Sequence, residues 1–146
     1  MSKAVKYLTI LVLFAVLSVA IVNAHCQIPC GIYNDEARFV LMKEHVTTIE
    51  KSIKEIEANQ NQNQTVRWVA NKEKHADELS KIVTEYFMAQ RIKPGKENYE
   101  LELKALHGIL IQSMKAKQTT DLAHVIKIRE LIHDFEHSYM GYKNTH

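Results

Sequence analysis

Apolar residues recur at alternating steps of three and four along one long stretch of this chain. The residues that share this spacing are Phe39, Met42, Val46, Ile49, Ile53 and Ile56. Because an α-helix completes a turn in 3.6 residues, all six fall on one stripe, which other parts of the protein must cover. The spacing therefore predicts an amphipathic helix. Asn34 or Asp35 can cap its start, and the polar run at 59–64 marks the connection that follows.

Three more helices are predicted downstream, at about 65–90, at about 97–117 and from the cap Thr119-Thr120-Asp121 to Gly141, with Pro94-Gly95 ending the first of them. The second helix is expected to bury Val66, Val69, Ala76, Leu79, Val83 and Tyr86. The third is expected to bury Tyr99, Leu103, Leu106, Leu110 and Met114. The fourth is expected to bury Leu122, Val125, Ile128, Ile132, Phe135 and Tyr139.

These segments indicate the fold class. No stretch alternates between apolar and polar residues as a half-buried strand does, and short connections favour antiparallel neighbours. The predicted architecture is an all-α, antiparallel four-helix bundle over residues 34–146. Ahead of it the sequence predicts a cleaved signal peptide at residues 1–24 and an N-terminal metal-binding hook at residues 25–33.

Residues 1–24 have the parts of an export signal. Lys3 and Lys6 give a basic start, residues 7–22 are almost wholly apolar, and small residues precede a cleavage site after Ala24. Cleavage after Ala20 is an alternative. An uncleaved anchor is another, but the apolar run is shorter than the roughly 20 residues that span a bilayer comfortably. We therefore expect an exported, periplasmic or extracellular protein with no stable membrane association after cleavage.

The charge balance gives no indication of a nucleic-acid partner. The chain has 19 lysines and arginines and 17 aspartates and glutamates. Two of the lysines lie in the predicted signal peptide, which has no acidic residue, so the rest of the chain is close to neutral. We therefore expect no nucleic-acid binding.

The hook groups metal-binding atoms at what would be a new N-terminus. Cleavage after Ala24 gives His25 a free α-amine beside the amide nitrogen and thiolate of Cys26, and Cys30 follows beyond the stiff Pro29. Two nitrogens and two sulfurs in a plane suit nickel(II) or copper(II) better than zinc, and the imidazole of His25 remains for an axial position. The alternative for the two cysteines is a disulfide, as expected in an exported protein.

The string His-Cys-x-x-Pro-Cys-Gly-x-Tyr at residues 25–33 resembles the nickel-binding hook of the nickel-containing superoxide dismutases, whose subunits are four-helix bundles that form homohexamers. The resemblance implies one nickel ion per subunit, held by His25, Cys26 and Cys30. It also implies that the substrate is superoxide, which is converted to dioxygen and hydrogen peroxide. We also expect a homo-oligomer, which in the family is a hexamer. Its neighbouring subunits would hold the hook in place.

The resemblance further assigns roles outside the ligands. The pair Tyr86-Phe87 matches the family, and Tyr33 and Tyr86 would line a small pocket above the metal, where their hydroxyls order water and limit access to small oxygen species. Gly31 would let the backbone turn tightly. The peptide bond before Pro29 would be cis, as it is in family members.

The sequence departs from the family around the axial imidazole. A glutamate of the family corresponds to Val40 here, and an arginine of the family falls at Asn71, or at Arg67 after a shift of one turn. The residues that orient the axial ligand are therefore not fixed by the resemblance.

Attraction of the superoxide anion also has to be assigned differently. A lysine that follows the Tyr-Phe pair in the family is Met88 here. Arg91 or Lys93 would then supply the local positive charge that a near-neutral chain needs in order to attract an anion.

Two other functions remain open from the sequence. One is an exported nickel or copper carrier that uses the same hook without catalysis, and such a carrier needs neither Tyr33 over the metal nor a hexamer. The other is a structural bundle held by a disulfide between Cys26 and Cys30.

The remaining histidines are expected to have ordinary roles. His133 and His137, four residues apart, could bind a metal with His124 or a carboxylate, but their acidic neighbours favour a solvated face. Isolated surface or boundary positions are expected for His45, His75 and His107.

Overall fold

The computed structural model describes residues 3–8, 11–12, 31–58 and 61–141. The chain divides into two compact units, Met1–Gly31 and Ile32–His146. In the first unit, residues 3–8 and 11–12 are helical, and Gly31 lies in a turn with a φ of 79°. Within these described ranges, no helix has both the length and the apolar character needed to cross a membrane. Most of the predicted signal peptide and hook lies outside the described residues, so both stay predictions.

The second unit is a bundle of four helices. They are α1 (Asp35–Glu57), α2 (Gln62–Lys81), α3 (Tyr99–Gln118) and α4 (Leu122–Met140), and a π-helical segment (Ile82–Arg91) continues α2. Side chains cap three of the starts, because Asn34, Asn61 and Asp121 each accept a hydrogen bond from a backbone N–H of the first turn. Gly141 ends α4 in the left-handed conformation, with a φ of 68°.

Contacts between the helices show that neighbours run in opposite directions. Lys43 pairs with Glu136, whereas Glu50, further along α1, pairs with Arg129, earlier on α4. The same crossed order relates α1 to α2 and α3 to α4. Helix α1 packs against α2 and α4, and α3 packs against the same two helices. The prediction of an all-helical bundle is confirmed for the described residues, which contain no strand.

The core matches the predicted stripes of α1 and α4 closely. Buried core residues on these two helices include Phe39, Met42, Val46, Ile49, Ile53, Val125, Ile128, Ile132 and Phe135. Three side chains, of Ile56, Leu122 and Tyr139, are only half-buried. Three phenylalanine rings, of Phe39, Phe87 and Phe135, pack with centroids 4.8–5.3 Å apart and tie α1 and α4 to the π-helical segment.

The predicted buried face of α2 was wrong at its start. Val66 is 61% exposed and Val69 is 39% exposed. The buried residues of this helix are Lys72, Ala76 and Leu79. The first turns of α2 therefore lie outside the core, although their apolar residues continue the helical spacing.

The predicted inner face of α3 was only partly right, because Leu106 is fully buried as predicted but the other residues of that stripe are not. Met114 is 47% exposed, and Tyr99, Leu103 and Leu110 are only half-buried. The buried residues are Glu102, Ala105, Leu106, Ile109, Ser113 and Ala116. Small and polar residues share this face with Leu106 and Ile109, so the spacing of the large apolar side chains indicated only part of the buried stripe.

Candidate functional site

A carboxylate at the start of α1 joins three other segments of the bundle. Asp35 Oδ1 accepts hydrogen bonds from the Tyr86 hydroxyl at 2.6 Å and from Arg91 Nε at 3.0 Å. Its Oδ2 accepts from the Arg91 guanidinium at 2.6 Å and from the Tyr139 hydroxyl at 2.9 Å. We call these four residues the Asp35 cluster. The two parallel bonds from Arg91 form the forked geometry that makes an arginine–carboxylate pair strong and directional.

Tyr86 and Arg91 reach Asp35 together because they lie on the π-helical segment. The N–H of Ile92 donates to the carbonyl of Phe87, five residues earlier, at 2.9 Å. In an α-helix, residues five apart point about 140° away from each other, whereas the i→i+5 pattern of a π-helix brings them onto one face. The wider turn therefore aims both side chains at the same carboxylate.

Tyr33, the last residue of the predicted hook, packs on this cluster. Its ring meets the ring of Tyr86 edge to face with centroids 5.9 Å apart, and the Arg91 guanidinium carbon lies 4.4 Å from the centre of the Tyr33 ring. The Tyr33 hydroxyl donates to Gln90 Oε1 at 3.3 Å. Tyr33 is 39% exposed, whereas Tyr86 is only 3% exposed. Tyr33 therefore forms the solvent-facing side of the contact between the two rings.

The charges of the Asp35 cluster are fixed over a wide pH range. Burial by itself would raise the pKa of Asp35, but hydrogen bonds from Arg91, Tyr86 and Tyr139 outweigh burial and hold that pKa below its ordinary value. Burial, together with the hydrogen bond to Asp35, raises the pKa of Tyr86 to about 12 and also raises the pKa of Tyr139. At neutral pH the cluster therefore holds one carboxylate, one guanidinium and two neutral phenols.

The structure brings together two of the predicted site residues, Tyr33 and Tyr86. The three predicted ligands, His25, Cys26 and Cys30, lie outside the described residues, as does the peptide bond before Pro29. In the described part of the chain, no group of three or more His, Cys, Asp or Glu side chains could hold a metal ion. The bundle that is described thus offers no three-ligand centre of its own.

The residues that differ from the family pattern are also placed. Val40 is 53% exposed on α1, and Asn71 donates to Ser52 Oγ at 3.1 Å. Arg67 is exposed near the start of α2. Fifteen residues separate Asn71 from Tyr86, which is about 20 Å along a helix. Neither Asn71 nor Arg67 therefore belongs to the Asp35 cluster.

Arg91 and Lys93, the two candidates for attracting superoxide, differ in their surroundings. The Arg91 side chain is largely covered and its charge is paired with Asp35, whereas Lys93 is exposed. Met88 is half-buried. Of the two candidates, Lys93 is the one that lies open to solvent.

Sequence reasoning missed the two residues that complete the cluster. The sequence predicts Asp35 only as a helix cap and Tyr139 only as part of the apolar stripe of α4. A carboxylate at a helix start is common enough to carry no functional signal. Its three partners lie 51, 56 and 104 residues away, so no local pattern reveals them.

The expectation that His45 and His75 are isolated was also wrong. Their Nδ1 atoms lie 2.9 Å apart across α1 and α2. His133 and His137 stack with ring centroids 6.4 Å apart, and the His133 side chain is 78% exposed, as expected for a solvated face. His107 is exposed on α3.

The family described as nickel-containing superoxide dismutase matches the chain over residues 20–143. The matched span includes the predicted hook, the Asp35 cluster and all four helices of the bundle. No curated protein and no solved structure matches the chain.

Proposed function

The chain belongs to the nickel-containing superoxide dismutase family and is a nickel-dependent oxidoreductase that acts on superoxide, and on that premise we propose how this chain forms its site. Export and cleavage after Ala24 expose the α-amine of His25. That amine, the amide nitrogen and thiolate of Cys26, the thiolate of Cys30 and the imidazole of His25 would hold the nickel ion. The observation that carries the proposal is that the family match begins before His25 and so includes every proposed ligand.

The chemistry of these donors fits nickel. Thiolates are soft ligands, and a planar set of nitrogen and sulfur suits a square-planar divalent ion. When bound, the nickel ion supplies a one-electron redox centre for the disproportionation of superoxide. The thiolate donors must be free for this, so the proposal requires that Cys26 and Cys30 are not joined in a disulfide.

Chain length supports a position of Tyr33 near the metal. Tyr33 lies three positions after Cys30, and an extended chain of that length spans at most about 11 Å. Tyr33 is itself held by the ring of Tyr86 and the guanidinium of Arg91. We infer that the Asp35 cluster positions the partly exposed Tyr33, and that the Tyr33 hydroxyl orders water next to the superoxide.

Proton supply and anion attraction can be assigned to different groups. Tyr86 and Tyr139 keep their protons at neutral pH, because burial and the hydrogen bonds to Asp35 raise the pKa of each phenol further above neutrality. The two protons of hydrogen peroxide therefore come from solvent, through water at Tyr33. Arg91 is neutralised by Asp35, so the exposed Lys93 supplies the local positive charge that attracts superoxide.

Assembly and location complete the proposal. We infer a homohexamer with one nickel ion per subunit in the periplasm or outside the cell. Large apolar side chains that are exposed on the single chain, among them Val40, Val66 and Met114, provide surface that copies of the chain could cover. Native mass spectrometry of the exported protein tests both the copy number and the number of nickel ions.

The position of the new N-terminus provides the sharpest test of the ligands. Inserting one alanine between Ala24 and His25, with cleavage kept before the insertion, moves the α-amine away from the imidazole and the Cys26 amide. We expect loss of bound nickel and of superoxide removal, with helical content by circular dichroism unchanged. Gln27→Ala, which changes the hook but no proposed donor, should keep both.

The outcomes separate the possible functions. Full activity after the insertion would contradict the proposed ligation. Nickel bound by the natural hook without superoxide removal would indicate a carrier. An N-terminus other than His25 in the exported protein, or a disulfide between Cys26 and Cys30 under nickel-replete growth, would exclude the proposed site.

A further inference from the structure

Two histidines from different helices meet outside the Asp35 cluster. His45 on α1 and His75 on α2 place their Nδ1 atoms 2.9 Å apart, with ring centroids 5.1 Å apart. Both side chains are half-buried. In the absence of any ion, one Nδ1 must carry a proton and donate it to the other.

The spacing of the two nitrogens also matches a metal ion. Imidazole nitrogens bind divalent metals at about 2.0–2.1 Å, so two of them at a ligand angle of 90° lie about 2.9 Å apart. A tetrahedral angle would require about 3.3 Å. The observed separation therefore favours the square-planar or tetragonal geometry of copper(II) and nickel(II) over that of zinc.

The surroundings keep the two rings ready to bind. Burial lowers the pKa of both histidines, and the charge of Lys74 lowers that of His75 further, although Glu78 beside both and Glu44 beside His45 oppose the change. Neutral imidazoles are the form that binds metals. The carboxylate of Glu78 offsets part of the charge of a bound cation, although it is also paired with Lys81 at 3.0 Å.

We propose that His45 and His75 form a second metal site, which takes copper(II), or nickel(II) more weakly, through their two Nδ1 atoms. The ion replaces the proton that the two nitrogens otherwise share and links α1 to α2. Because the described part of the chain holds no third metal-binding side chain in the same group, water fills the other positions. Copper(II) ranks above nickel(II) in affinity for the same nitrogen ligands.

The test uses processed protein in which the hook cannot bind metal. In the variant His25→Ala/Cys26→Ser/Cys30→Ser, titration with copper(II) should show one equivalent bound. Its electron paramagnetic resonance spectrum should carry the hyperfine pattern of two imidazole nitrogens. Adding His45→Gln or His75→Gln should remove that equivalent and the pattern, and either substitution keeps a side chain that can hydrogen-bond.

A matched control addresses the other histidine pair. His133 and His137 lie four residues apart on one helix face, so His137→Gln in the same background should leave the copper equivalent and its spectrum unchanged. Loss of the signal with His137→Gln, but not with His45→Gln, would overturn the proposal. Failure of the starting variant to bind copper(II) at one equivalent would overturn it as well.

A last measurement separates this proposal from that of the nickel site. In the nickel-loaded enzyme, His45→Gln should leave the rate of superoxide removal unchanged, because neither histidine belongs to the Asp35 cluster or the hook. A parallel loss of catalysis and of copper binding would show that the histidine pair belongs to the catalytic site instead. Circular dichroism of both single variants checks that they remain folded.

Discussion

The hydroxyl of Tyr86 donates a 2.6 Å hydrogen bond to Asp35, although 51 residues separate them in the chain. This bond connects the first residue of α1 to a π-helical segment that also supplies Arg91 to the same carboxylate. Asp35 follows Tyr33 by only two residues. The bond therefore anchors the start of α1, two residues after Tyr33.

Asp35→Asn should destabilise the protein strongly, although asparagine has nearly the same shape as aspartate. It removes the charge that pairs with Arg91 and weakens the bonds from Tyr86 and Tyr139, so we expect a loss of about 2–3 kcal/mol in the free energy of unfolding. Urea denaturation measures this loss. Asp77→Asn, which removes an exposed partner of Lys117, should cost less than about 0.5 kcal/mol. Equal losses in the two variants would contradict the importance of the cluster.

Tyr86 should make stability depend on pH in the alkaline range. Its pKa is raised to about 12 in the folded protein, against about 10 in an unfolded chain. Since the folded state holds this proton more tightly, the contribution of Tyr86 is complete below pH 10 and is lost as the pH rises through 12. The natural protein should therefore exceed Tyr86→Phe in free energy of unfolding by less at pH 11.5 than at pH 9. Urea unfolding at the two pH values measures this difference.

The background of Asp35→Asn provides the control for this pH effect. The hydrogen bond to Asp35 is one cause of the raised pKa, after burial. In that background, the difference between tyrosine and phenylalanine at position 86 should change less between the two pH values. A constant difference in the natural protein would show that Tyr86 does not titrate as expected.

Local sequence patterns predicted most of the bundle but not its closest contacts. The stripe of α1 was recognisable because its buried positions hold large apolar residues, as Met42 and Ile49 do. On α3 the buried positions include Ala105 and Ser113 beside the predicted Leu106, so hydrophobicity missed them and wrongly predicted burial of Met114. Small residues let two helices approach each other closely. Such packing depends on the partner helix, so hydrophobicity along one helix does not predict it.

The candidate site shows the same division. The hook can be proposed from the sequence because its residues are consecutive and its chemistry is unusual, and it stays a prediction. The π-helical turn was not, because no residue type marks an i→i+5 pattern, and a continuous helix was predicted through Tyr86. The meeting of His45 with His75 depends on the alignment of two helices, which no spacing within one helix reveals.

Two substitutions at Tyr33 distinguish the contribution of its ring from that of its hydroxyl. Tyr33→Phe keeps the ring against Arg91 and removes the hydroxyl, whereas Tyr33→Ala removes both. We expect a severalfold lower rate of superoxide removal with Tyr33→Phe and a larger loss with Tyr33→Ala, at unchanged nickel content. Tyr99→Phe, on α3, should keep the natural rate. Natural activity in Tyr33→Ala would contradict the position proposed for Tyr33.

Lys72 should stabilise the end of α3 despite being a buried cation. It is 4% exposed, and its ammonium group donates to the carbonyls of Lys117 at 2.8 Å and Thr119 at 2.9 Å. Such donors favour a helix C-terminus. Burial lowers the pKa of Lys72, so part of this gain is offset, and Lys72→Met should cost about 1–2 kcal/mol in thermal unfolding. The exposed Lys74→Met should change the unfolding free energy by less than about 0.5 kcal/mol.

The effect of Gly108→Ala on the free energy of unfolding should change sign with the residue at position 131. A Cβ atom at this position would lie 3.0 Å and 3.3 Å from the two terminal carbons of Leu131, closer than carbon atoms normally approach. Alanine favours a helix interior over glycine by about 1 kcal/mol. Gly108→Ala should nevertheless destabilise the natural protein, because Leu131 must be displaced between α3 and α4. In a Leu131→Ala background the same substitution should stabilise it, and a double-mutant cycle by urea unfolding measures the difference. Stabilisation of equal size in both backgrounds would show that Leu131 moves aside without cost and that α3 and α4 are less closely packed than these distances require.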